Sequence, residues 1–412
     1  MGIKTEDNLK RSKSNFGKHV KILLFVVLMG VFFRNLGISV VNIGLPSFII
    51  DLSGTLTAYG IVIGIFAVTQ ALFQFPFADA SDKYGRRLVV FIGLIIYIIG
   101  TFLCFIAQDI VQLIIFRAIQ GAGAYTSILQ AIIGDIYEKE EHGKGMGLYA
   151  LSMSLGTFGG IVIGGYISSY FGFRNIFSIS GILTIISGVV MIIFLKEKGN
   201  KKVKTDLESP KNENKMSLNL ANVKILLQER HFIINIFLNS VRWFIFGGIM
   251  AYLIWVLQVQ FILDEIQTSY VLILIVAAYI TFVVISGRLT DRHSPRKMML
   301  VGRIIVIIFS LSFLTSIVFN LIVFLIITTL VGIGLALYEP AGNTLLLNII
   351  EKIDPDLKGT GIGFNNAIGF LCSAIGPIII SFLGEIDTFL PFHLINGLLV
   401  ITFFITLKLV KK

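Results

Sequence analysis

The stretch Phe77-Ala78-Asp79-Ala80-Ser81-Asp82-Lys83-Tyr84-Gly85-Arg86-Arg87 lies between two long apolar runs. The chain holds a second, altered copy at Gly287-Arg288-Leu289-Thr290-Asp291-Arg292-His293-Ser294-Pro295-Arg296-Lys297. Asp82 and Asp291, the acids of the two copies, are 209 residues apart. Nearly the same offset recurs twice more: Arg34 and Arg242 are 208 apart, and Gly160-Ile161 and Gly376-Pro377 are 216 apart. Three similar offsets point to a duplicated unit. Parallel repeats of this kind pack about an axis along the membrane normal, with a substrate site near midplane between them.

The apolar runs flanking these turns are roughly 18–25 residues long, which matches a hydrocarbon core about 30 Å thick. The first six predicted spans are Ile22–Leu45, Leu56–Phe77, Leu88–Ala107, Ile110–Tyr137, Met146–Tyr170 and Asn175–Leu195. The second six are Phe232–Gln260, Ser269–Gly287, Met298–Phe319, Leu321–Ile350, Gly359–Leu383 and Pro391–Leu409. The expected fold class is therefore all-α membrane, with twelve transmembrane helices in two pseudo-symmetric six-helix bundles. Residues 1–195 form the first bundle, 196–230 a cytoplasmic linker and 231–412 the second bundle. The linker is rich in Lys, Asn, Glu and Ser and too polar to build a core, with a short amphipathic helix expected around Leu218–Leu227.

Composition agrees. Of the 412 residues 55% are hydrophobic and only 14% charged, against about 25% charged in soluble domains, and the mean hydropathy is +0.88. The net charge of +10 could suggest nucleic acid, but position decides otherwise. With a cytoplasmic N-terminus, every Lys and Arg falls in a cytoplasmic segment except Arg34, Arg117, Arg174, Arg242 and Arg303. Of those five only Arg174 sits in an outside loop. That asymmetry is the positive-inside pattern, so the basicity reports orientation. The first apolar run is too long for a signal peptide and contains Arg34, so it reads as a retained helix. Cys104 and Cys372 read as small buried hydrophobes.

The turn at residues 77–87 can serve as a charged latch at the membrane–water boundary. Gly85 permits a backbone turn that a side chain would obstruct. Asp82 can accept from the N-terminal amides of a neighbouring helix, and Arg86 and Arg87 can pair with carboxylates across the cytoplasmic face. Positive-inside charge explains the arginines without any latch, but not the acid at that spacing, nor its second copy.

These residues carry a resemblance. Ala78–Arg87 resembles motif A of the major facilitator superfamily, with Asp82, Gly85, Arg86 and Arg87 matching; Ala78 replaces a Gly and Ala80 a Leu. Arg117-Ala118-Ile119-Gln120-Gly121-Ala122-Gly123 is similar to motif B in full. Gly156, Gly160, Gly164 and Gly165 resemble motif C, associated with antiporters, although Ile161 stands where that motif has Pro. The nearest likeness is to the twelve-helix drug:proton antiporters. The resemblance implies a gate built from Asp82, Gly85, Arg86, Arg87 and the copy Gly287, Asp291, Arg292. It implies proton coupling through Arg117, with Asp135 meeting Arg86.

The ions at mid-depth are the sharpest site candidates. A charge at a span centre costs roughly 2.5–3.5 kcal/mol on insertion scales, so it faces protein or water. Arg117 can modulate a proton site or staple helices through backbone carbonyls; Gln120, three residues on, shares its face. Glu339, beside the ladder-breaking Pro340, is either a proton carrier, together with Asp135, or a static partner for Arg34, Arg242 or Arg303. Arg34 and Arg242 suit a carboxylate or phosphate, a layout similar to that of organophosphate:phosphate antiporters; Tyr338 joins them as a cavity candidate. The glycines Gly156, Gly160, Gly164, Gly165 and Gly376, with Pro377, suit close helix packing. Trp243, Phe246, Tyr252 and Trp255 along the seventh span read as packing or as an apolar cavity wall.

No Gly-x-x-x-x-Gly-Lys-Ser/Thr, His-Glu-x-x-His or Gly-x-Ser-x-Gly pattern occurs, so neither nucleotide-driven pumping nor hydrolysis is expected. The sequence thus predicts proton-coupled efflux of a drug-like or small metabolite cargo, with organic-anion exchange or uptake through Arg34 and Arg242 as the alternative. It predicts a cell-membrane monomer with both termini cytoplasmic. The expected partners are cargo, protons and lipid bilayer, with no cofactor, metal or nucleic acid.

Overall fold

The computed structural model describes residues 18–137, 142–194, 220–311, 320–354 and 357–410, which are helical apart from short connections. The first half comprises α1 (Lys18–Asp51), α2 (Leu56–Tyr84), α3 (Arg86–Ile106), α4 (Ile110–Ala122), α5 (Thr126–Ile136), α6 (His142–Phe171) and α7 (Asn175–Phe194). A short α8 (Leu220–Leu226) falls within the expected amphipathic stretch. The second half comprises α9 (Arg230–Trp255), running on into a π-helical turn at Val256–Gln260, and α10 (Glu265–Arg292), α11 (Pro295–Leu311), α12 (Leu321–Ile353), α13 (Lys358–Ile386) and α14 (Leu390–Val410).

Ten of these helices are long and apolar enough to cross a bilayer singly. The other two spans are α11, whose described part ends at Leu311, and the α4–α5 pair. The sequence predicts one continuous helix from Ile110 to Tyr137, and here the structure differs: Gly123-Ala124-Tyr125 interrupts it. The cause is crowding against α3. A Cβ on Gly123 would lie 2.6 Å from both the Gly93 carbonyl oxygen and the Tyr97 nitrogen. The ladder gives way to short-range bonds, Gly123 N–H to Gln120 O at 3.2 Å and Tyr125 N–H to Gly123 O at 3.0 Å. These keep the freed backbone groups paired away from water.

At four helix starts on one side of the molecule the sequence supplies caps. Thr55, Asp109, Asp264 and Asn320 each accept from backbone amides in the first turn of α2, α4, α10 and α12, satisfying donors that have no partner within a helix. All four lie at one end of the molecule, the end where α1 finishes at Asp51. The opposite end carries Gly85.

In the first half α1 packs most closely on α6; in the second, α9 on α13 and α11 on α12 are equally intimate. Gly156, Gly160 and Gly164 let α6 approach the α1 backbone: a Cβ on Gly160 would sit 2.4 Å from the Leu36 carbonyl oxygen. A Cβ on Gly376 would sit 2.4 Å from the Phe244 carbonyl oxygen of α9. Leu36 and Phe244 are 208 residues apart, the Arg34–Arg242 offset. Small residues four apart allow this approach in an apolar solvent that gives helices no hydrophobic reason to associate.

The halves meet along α2 with α13 and α6 with α10. A Cβ on Gly60 would lie 2.4 Å from the Pro377 carbonyl oxygen, and one on Gly165 2.4 Å from Ser269 Oγ. Hydrogen bonds cross at the same, Asp51, end. The Glu265 carboxylate accepts from Ser47 at 2.7 Å and Ser169 at 3.3 Å, Glu385 accepts from the Thr57 amide at 2.6 Å, and Gln258 donates to Ile43 O at 2.8 Å. Tyr59 and Trp255 add a ring contact at 5.3 Å. Toward the Gly85 end, a Cβ on Gly147, Gly287 or Gly363 would meet no atom within 4 Å, and Leu72, Phe73, Leu155 and Val284 are exposed.

Candidate functional site

The turn after α2 is held by Gly85 at φ 94°, ψ 143°, where a side chain would be strained, and its N–H bonds to Ser81 O at 3.1 Å. In the second copy His293 has an ordinary extended backbone, and Pro295 opens α11, so this turn uses the fixed φ of proline instead. Arg87 and Arg292 are exposed, while Arg86 and Gly287 are half-buried. The side chains of Asp82, Asp135 and Asp291 lie outside the described residues, and with them the expected Asp135–Arg86 contact.

The mid-depth ions fall into two groups. In the first half Arg117 is 1% exposed and Arg34 5%. Arg117 Nη1 donates to Gln120 Oε1 at 2.7 Å and Nε to the Val62 carbonyl at 3.3 Å, with the Phe66 ring 4.4 Å away. Gln120 passes the network on to Thr101 at 2.8 Å, which bonds Tyr97 O at 2.7 Å. A Cβ on Gly100 would lie 2.4 Å from the Gln120 backbone, so that glycine is what brings α4 against α3. The geometry has the form of the helix-stapling arrangement, tying α4 to α2 and α3. Arg34 lies over the rings of Tyr97 at 5.7 Å and Tyr125 at 5.6 Å, and its Nε has no hydrogen-bond partner.

In the second half Arg242, 7% exposed, has Nη1 3.6 Å from Glu339 Oε2. Tyr279 donates its hydroxyl to the same carboxylate oxygen. Of the partners the sequence left open for Glu339, the structure selects Arg242. Arg303, 4% exposed, donates to the Thr402 carbonyl and, at 3.0 Å, to the Tyr338 hydroxyl. Arg34 and Arg242 therefore make their contacts each within its own half. The aromatics of the seventh span all make ring contacts: Trp243 with Phe370, Phe246 with Tyr279, Tyr252 with Phe392, and Trp255 with Tyr59.

Three features escaped the sequence reading. Asn239 donates to Asn235 at 3.0 Å and to Asn365 at 3.2 Å, a buried amide cluster joining α9 to α13. The i, i+4 spacing of Asn235 and Asn239 inside an apolar run was the available signal. Glu265 and Glu385, the acceptors across the halves, sit at span ends where an acid looks like ordinary solvated charge.

This topology is matched by sequence. Residues 27–377 fit the model of the Major Facilitator Superfamily. The chain belongs to that superfamily. An uncharacterized transporter of Buchnera aphidicola subsp. Schizaphis graminum is 32% identical over 197 residues, spanning 48% of this chain and half the length of that relative. Multidrug resistance protein 1 of Bacillus subtilis is 25% identical over 90% of this chain and 92% of its own length. The riboflavin transporter RibZ of Clostridioides difficile is 24% identical over 87% of each. Among solved structures, a bacterial homolog of the human lysosomal transporter Spinster, in an inward-facing and unoccupied conformation, superposes with a TM-score of 0.73 at 16% identity, covering 95% of each chain. The superfamily fold, a multi-pass membrane protein of two pseudo-symmetric six-helix bundles, follows from these matches.

Proposed function

We propose that this protein exports a drug-like or small metabolite substrate in exchange for protons, by alternating access between bundles 1–195 and 231–412. The multidrug resistance relative supports the cargo class. The positive-inside asymmetry supports a cytosolic Gly85 end and cytosolic termini in a bacterial cell; on that orientation, closure at the Asp51 end corresponds to an inward-facing state. Motif A and its copy would close the cytoplasmic end in the opposite state. Energy comes from a gradient, which supplies about 2.3 kcal/mol per charge per 100 mV of potential.

One observation carries the coupling assignment. Glu339 is an acid at mid-helix, shared between a guanidinium and a phenol, and protonating it releases Arg242. Asp135 is the second candidate carrier and Arg117 the modulator. The test is efflux of a cationic dye from proteoliposomes under an imposed pH gradient. Flux that survives an uncoupler unchanged rejects proton antiport.

A second reading rests on Arg34, a buried cation whose described contacts are aromatic rings rather than a carboxylate. Under it the cargo is an organic anion held by Arg34 and Arg242. Replacing both by Gln then abolishes anion transport and leaves cationic dyes unaffected.

A further inference from the structure

We infer that a narrow cavity inside the second half holds one small inorganic anion, of chloride size, between Arg242 and Arg303. Both residues line it, together with Tyr338, Thr402, Gly302 and Gly334, and both are more than nine-tenths buried. Two guanidiniums thus share one apolar pocket. Among the described residues the carboxylate beside them is Glu339, which approaches Arg242 at 3.6 Å and is not part of the cavity wall. Arg303 gives its two terminal nitrogens to neutral acceptors, the Thr402 carbonyl and the Tyr338 hydroxyl. Arg242 Nε, buried, has no hydrogen-bond partner.

Among the described side chains the local charge is therefore one positive unit in excess, in a place where an unbalanced ion is costly. A buried N–H without an acceptor adds to that cost. An anion in the cavity answers both. The space is close to the size of a water molecule, which excludes organic phosphates and drugs, and the wall of Leu238, Val306 and Leu399 favours a weakly hydrated monovalent ion. The site has no twin: the residue 209 positions before Arg303 is Leu94, fully buried in the first half. This anion is a resident of the bundle and distinct from an exported drug-like cargo.

Trp243, whose ring lies 4.8 Å from the Arg242 guanidinium, is a built-in reporter once the only other tryptophan, Trp255, is replaced by Phe. Iodide, a quenching halide somewhat larger than chloride, is titrated into purified W255F protein at constant ionic strength against gluconate. The inference expects saturable quenching that chloride displaces, at least tenfold weaker in Arg303→Gln, intermediate in Arg303→Lys and unchanged in Arg34→Gln. The Lys variant keeps the charge and so keeps the test valid if the Gln variant fails to fold. Quenching that rises linearly and equally in all variants overturns the site, as does saturation that Arg34→Gln alone removes.

Discussion

Arg34 and Arg242 stand 208 residues apart at matching places in α1 and α9, yet one lies between two tyrosine rings and the other against a carboxylate. The contrast extends to their neighbours. Arg117 is tied to a glutamine and a carbonyl. In the second half a glutamate and a tyrosine sit within reach of the cation. Rings, amides and carbonyls do not titrate in the physiological range, and an arginine does not lose its proton. The described partners in the first half are therefore neutral groups around a permanent charge, while in the second half an acid stands against the cation. Duplication supplied the frame, and the two copies fill it with different chemistry.

The largest expected effect follows from that asymmetry. Glu339→Gln keeps an acceptor for Tyr279 but removes the charge, and proton-driven efflux should fall about tenfold or more, a loss of ~1.4 kcal/mol or greater in coupling, while substrate counterflow in the absence of a pH gradient persists. Equal loss of both modes would mean that Glu339 holds the fold or the cargo instead. Next in size is Gly60→Val at the α2–α13 crossing, where the Pro377 carbonyl leaves no room. Overpacking there costs about 1–3 kcal/mol, so a thiol-reactive probe at the Asp51 end should gain access. Gly287→Ala, in open space, should change that access little.

Smaller is the difference between the two mid-depth arginines of the first half, Arg34 and Arg117. Arg117→Gln loses hydrogen bonds from a buried charge, about 1.5–3 kcal/mol, whereas Arg34→Gln loses ring contacts of about 0.5–2 kcal/mol. Thermal unfolding in one detergent should rank them in that order, and the reverse order would place the staple at Arg34. Least of all, Lys83→Ala removes an exposed pair with Asp79, 2.6 Å apart. The carboxylate holds that ammonium above its usual range, but water screens the gain. No shift in Tm is expected at ordinary salt.

Much of the frame was legible because its causes are local. Span length follows from runs of apolar residues, and the duplication shows in the repeated spacings of Asp82, Arg34 and Gly160. The break after Ala122 was not legible, since Gly121 and Gly123 can either sit in a helix or leave it, and the choice is made by the α3 backbone at Gly93 and Tyr97. The partner of Glu339 was equally hidden. Sequence placed an acid and three arginines at similar depth, but only the packing of α9 against α12 brings Arg242 within 3.6 Å. Glu265 and Glu385 carry no motif at all, because their role exists only once two halves touch.

The seam at the Asp51 end combines close helix crossings at Gly60 and Gly165 with a few side-chain bonds, each worth on the order of 1 kcal/mol once competition with water is counted. Under the proposed proton antiport, the bonds of this zip-fastener are of the same order as the drive that must open it. One proton falling through a typical cellular voltage releases a comparable amount of work, about 2.3 kcal/mol at 100 mV. A tighter seam would stall the cycle, and a looser one would leak.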